Sequence, residues 1–70
     1  MPIHIWREGD SYSAKVTPPH ADVEWASAHR MSAQQLYNAL IELGCHPVDI
    51  MDALSECDPE WERREPGFKT

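Results

Sequence analysis

Apolar and polar residues follow one another along this chain in two different rhythms. From Ile3 to Arg7 the residues are strand-like. After Glu8-Gly9-Asp10 a second alternating run places Tyr12, Ala14 and Val16 on one side and Ser11, Ser13, Lys15 and Thr17 on the other. Two such runs around a glycine predict a β-hairpin, with Gly9 supplying the turn. Pro18-Pro19 is expected to end the second strand, because neither residue can donate to a ladder, and Val23-Glu24-Trp25 offers a short third strand beyond it.

The rhythm then changes to three- and four-residue steps. Ser32 with Gln35 forms a capping box, and Met31 with Leu36 has the spacing of a hydrophobic staple, so a helix is expected to begin near Ser32. Leu36, Leu40 and Leu43, joined by Ala33 and Ile41, make its apolar stripe, which stops at Gly44. Cys45 and His46 lead directly into a second helix. Pro47 suits its first position, and Asp49 lies in the first turn, where the helix dipole favours an anion. Ile50, Met51, Leu54 and Cys57 form the second apolar stripe. Asp58-Pro59-Glu60 repeats the cap-then-proline signal, so the segment through Arg64 is expected as a short helix or an extended tail, and Pro66-Gly67 ends regular structure.

These elements predict an α+β fold: an antiparallel hairpin or three-stranded meander with two antiparallel helices on one face. Residues 1–58 form the expected domain and residues 59–70 a charged C-terminal segment. A chain of 70 residues buries only about 60% of the surface its unfolded form exposes, which leaves little room for a deep substrate cleft.

Charge changes the picture most. Twelve acids against six bases give a formal charge of -6. That balance opposes attraction to nucleic acid or an anionic membrane and makes basic proteins the natural partners. Between Met31 and Glu62 stand seven acids (Glu42, Asp49, Asp52, Glu56, Asp58, Glu60 and Glu62) and no lysine or arginine. On the second helix Asp49, Asp52 and Glu56 recur at three- and four-residue steps. They share a face about 5 Å from one to the next, opposite the Ile50/Leu54/Cys57 stripe. A solvated face usually mixes signs, because an acid four residues from a lysine stabilises a helix slightly and a second acid there costs as much. The carboxylate face is therefore the expected binding surface, formed by Asp49, Asp52 and Glu56 and extended by Glu60 and Glu42.

Other chemistries fare worse. A helix-turn-helix DNA reader would bring Asp49, Asp52 and Glu56 against phosphates. His4, His20, His29, His46, Cys45 and Cys57 lack the paired spacing of a tetrahedral metal site, and ordinary capping accounts for His46. Neither a metal nor another cofactor is expected. Acidic surroundings raise a thiol pKa, and there is no phosphate loop or nucleophile motif, so an enzyme is not expected. Two thiols in an intracellular domain are expected to be reduced. No apolar run is long enough for a membrane span, and the N-terminus lacks a secretory pattern, so the expected location is the cytoplasm. Trp6 and His4 are expected on the sheet face away from the helices. Trp61, in the charged terminal segment, is a candidate anchor within an interface.

In length, in its -6 charge and in the base-free run holding Asp49, Asp52 and Glu56, the chain resembles the small acidic inhibitors that phages encode against bacterial immune complexes, the anti-CRISPR proteins. The resemblance covers the character of the whole chain and matches no motif. It implies a monomeric, non-catalytic inhibitor acting in the host cytoplasm. Its carboxylates would pair with lysines and arginines that normally grip phosphates, as on a CRISPR effector subunit. The rival expectation is an antitoxin or regulatory partner that caps a toxin or another nucleic-acid enzyme.

Overall fold

The structure is a computed structural model that describes residues 3–17, 22–27 and 29–69. Strands β1 (Ile3–Glu8), β2 (Ser11–Val16) and β3 (Trp25–Ala26) form one antiparallel sheet in the order β1-β2-β3. Helices α1 (Ala33–Glu42), α2 (Pro47–Cys57) and α3 (Trp61–Arg64) follow. This is the expected α+β architecture, with the third strand present.

The hairpin register pairs Ile5 with Ala14 and Arg7 with Tyr12, and the two-residue turn places Gly9 at φ 65°. That conformation suits glycine, and glycine at the first turn position matches the right-handed twist of the strands. Ile5, Tyr12, Ala14 and Val16 are buried on the helical side, where α2 packs on β1 and α1 on β2. His4 and Trp6 lie on the opposite side as expected, their rings 5.3 Å apart. The third strand starts two residues later and ends one later than the sequence suggests: Trp25 pairs with Val16 and Ala26 with Lys15, while Val23 is exposed. Pairing with Val16 places the half-buried Trp25 ring on the helical side. The proposed stop at Pro18-Pro19 lies outside the described residues.

Helix ends follow the sequence closely. Ser32 Oγ accepts from the Gln35 backbone N–H and Gln35 Oε1 accepts from the Ser32 N–H, each at 3.2 Å, which completes the capping box. At the other end Gly44 has φ 95°, and the Cys45 and Gly44 N–H groups reach back to the Leu40 and Ile41 carbonyls. This closing motif needs a left-handed residue, and it folds Cys45 onto the core. His46 Nδ1 accepts from the Val48 N–H at 3.2 Å, so His46 caps α2 ahead of Pro47.

The C-terminal segment takes the short-helix form, α3, and packs back on the domain. Trp61 is 3% exposed and meets Phe68 edge to face at 4.7 Å, and Phe68 in turn meets Tyr37 of α1 at 5.2 Å. The Gln34 side-chain amide donates to the Lys69 carbonyl and accepts the Lys69 N–H. Most telling is Glu65. Its two carboxylate oxygens accept the N–H groups of Ala33 and Gln34, the open N-terminal donors of α1. The first turn of α1 carries no acid of its own, so the anion its dipole favours comes from 32 residues further along the chain. Glu65→Ala is expected to lower stability by about 1 to 2 kcal/mol, read as a lower urea midpoint at unchanged slope.

Candidate functional site

The helical geometry divides the acids into two groups. In the first, carboxylates are committed inside the molecule. Asp58, buried at the end of α2, accepts the Tyr12 hydroxyl at 2.8 Å and the Arg64 Nε–H at 2.8 Å on one oxygen, and the Glu60 N–H on the other. Glu65 clamps α1. Glu8 faces Arg30 at 3.9 Å and Glu60 faces Arg63 at 4.0 Å, both as exposed pairs that contribute little.

In the second group are Asp49, Asp52 and Glu56 of α2, Glu42 of α1 and Glu62 of α3. All five are exposed, and among the described residues none has an ion-pair or side-chain hydrogen-bond partner. The α2 acids lie away from Ile50 and Leu54, which are fully buried. Seven residues separate Asp49 from Glu56, about 10 Å along the helix axis. Glu42 and Glu56 sit in the last turns of their helices, which hold no basic residue. There the dipole disfavours an anion by a few tenths of a kcal/mol. Glu42 and Glu56 are thus placed where they lower helix stability, whereas Asp49, in the first turn of α2, is favoured by the dipole. Val48, 55% exposed and four residues before Asp52, adds an apolar contact beside them that sequence reasoning missed.

Trp61 departs from expectation. Its ring is buried and its indole N–H donates to Ser55 Oγ at 3.0 Å, so it supports the C-terminal segment rather than projecting as an exposed anchor. The reason is the cap at Asp58, which turns the chain back and lays the ring against α2 and Phe68. Glu60 is exposed, but it shares its charge with Arg63 and is a weaker extension of the face than expected. The sequence also gave Asp58 no role beyond a cap. Its partner Tyr12 is 46 residues away, and no local pattern announces that pairing.

Electrostatics around the buried groups are consistent with these roles. Burial opposes ionisation of Asp58, yet hydrogen bonds from Tyr12, the Glu60 N–H and Arg64 hold its carboxyl below the ordinary value. Burial, reinforced by Asp58, pushes the Tyr12 hydroxyl well above the usual tyrosine range. Burial also pushes both thiols up, with Asp49 adding to the effect at Cys45 and Asp58 at Cys57. Neither cysteine is poised as a thiolate, and both are free. Among the described residues no three His, Cys, Asp or Glu side chains come together to hold a metal ion, and no helix is long and apolar enough to cross a membrane.

Comparison of the chain with protein-family models, with curated proteins and with solved structures gave no match.

Proposed function

We propose that this chain is a small binding protein that occupies a basic protein surface through the carboxylate face of α2. The observation that carries this reading is the division of the acids. Asp58 and Glu65 are built into the fold, whereas Asp49, Asp52 and Glu56 stand exposed on one helix face with no ion-pair partner among the described residues. Such a row of charges attracts lysines and arginines, speeds encounter at low salt and repels nucleic acid. The surface that fits it best is one that normally grips phosphates, so the mode of action is competitive charge mimicry of the anti-CRISPR type.

The test is capture from bacterial lysate on immobilised wild-type chain and on the double variant Asp52→Lys/Glu56→Lys. Wild-type chain is expected to retain nucleic-acid-binding proteins and release them when competing DNA or RNA is added. The double variant is expected to bind the captured protein at least about tenfold more weakly, with a flatter salt dependence. Equal capture by the variant, or capture indifferent to nucleic acid, would sink this reading. A ribonuclease toxin as the captured protein would assign the chain to the antitoxin class.

A further inference from the structure

Beside the carboxylate face a groove of about 220 Å³ opens between α2 and the C-terminal segment, lined by Met51, Trp61, Glu62, Glu65, Pro66 and Phe68. Met51 lies about 100° around the helix from Asp52, so the groove flanks the carboxylate face and includes none of its three acids. Its apolar walls are a thioether, an indole, a phenyl ring and a proline ring, with the two aromatic rings edge to face.

The polar chemistry of the lining is one-sided. Its side chains offer a single donor, the Trp61 indole N–H, and that proton is already given to Ser55 Oγ. The rest are acceptors. Glu65 spends its oxygens on the α1 amides. Glu62 is exposed at the rim and has no ion-pair partner among the described residues. Of the neighbouring cations Arg63 faces Glu60 and Arg64 pairs with Asp58, while Lys69, exposed after Phe68, engages Gln34 through its backbone alone. A ligand that suits aromatic and thioether walls under a free carboxylate is an organic cation bearing N–H donors.

We propose that this groove receives an arginine side chain of the basic partner. The aliphatic stem lies along Met51 and Pro66, and the guanidinium meets the part-exposed Phe68 ring beside the buried Trp61 indole and forks onto Glu62. Arginine fits better than lysine because its planar, weakly hydrated head group stacks on rings and presents two parallel N–H donors to a carboxylate. The inference rests on the partner reading above, and names the anchor that a purely electrostatic face lacks.

The chain holds three tryptophans, at positions 6, 25 and 61, so the indole N–H signals in a nitrogen–proton NMR spectrum contain their own controls. Titration with N-acetyl-arginine methylamide is expected to move the Trp61 signal saturably and leave those of Trp6 and Trp25 in place. N-acetyl-norleucine methylamide, the neutral counterpart, is expected to do nothing. Glu62→Gln should weaken the arginine response about threefold, the worth of one exposed charge contact, while keeping the spectrum of the folded protein. An equal response to the neutral probe, or an undiminished response in Glu62→Gln, overturns the assignment. Asp52→Lys/Glu56→Lys tests the helix face in the capture experiment, and Glu62→Gln tests the groove here, so the two readings can fail separately.

Discussion

Asp58→Ala is expected to cost the domain about 3 kcal/mol, roughly a third or more of its total stability, while leaving it mostly folded at room temperature. A chain of this length has a total stability of roughly 4 to 10 kcal/mol. The loss has two sources. Tyr12 is fully buried, so its hydroxyl would be left without an acceptor where water cannot replace it. The chain reversal into α3 would also lose the carboxylate that accepts the Glu60 N–H. Arg64 is partly exposed and can turn to solvent, so it contributes less. Tyr12→Phe alone should cost about 1 to 2 kcal/mol and should cost clearly less in the Asp58→Ala background. Urea denaturation of the four proteins measures that coupling, and simple additivity would show that the pair does not act as a unit.

The same carboxylate gives acid sensitivity a definite sign. Its pKa in the folded state is depressed below the ordinary 3.8. The unfolded chain therefore takes up the proton first. Stability from this group is complete above the unfolded value and is lost as the pH falls through the folded one. Asp58→Asn is expected to flatten the stability profile below about pH 4, where the wild type loses stability progressively.

Trp61→Ala is expected to be the most damaging single truncation, about 4 kcal/mol, because it removes a large buried ring that other groups are built upon. Phe68 would lose its edge-to-face partner, and with it the link to Tyr37. Glu65, four residues on, would then be poorly held over α1. Hydrogen exchange provides the specific readout: the Ala33 and Gln34 amides should lose protection beyond what the global destabilisation accounts for. A cost under about 1 kcal/mol, with those amides still protected, would mean that the C-terminal segment is held by other contacts.

Much of the fold is legible because its determinants are local. Ser32 and Gln35, Gly44, and His46 with Pro47 fix three helix ends within a few residues of sequence, and Tyr12, Ala14 and Val16 declare the buried face of β2 by simple alternation. The carboxylate face is legible for the same reason, since helical spacing alone places Asp49, Asp52 and Glu56 together. What escaped reading is nonlocal. Asp58 looks like a helix cap until Tyr12 is brought to it by the hairpin. Glu65 looks like one more surface acid until α1 presents two unsatisfied amides. Trp61 stands in a segment that is charged on either side, and its burial depends on Phe68 returning from beyond Pro66-Gly67. Where two acids look alike in sequence, only the groups that arrive opposite them decide which is structural and which is free.

The clamp of Glu65 on α1 also sets an order of events. Tyr12 waits for Asp58, and the first amides of α1 wait for a residue 32 positions later. A stretch of this chain that ends between Asp58 and Arg64 has its sheet and both long helices in sequence, yet lacks the carboxylate that accepts the first amides of α1. Closure of α1 thus waits for a residue that follows both long helices, and changes near Glu65 or Lys69 act on the same contacts that close it.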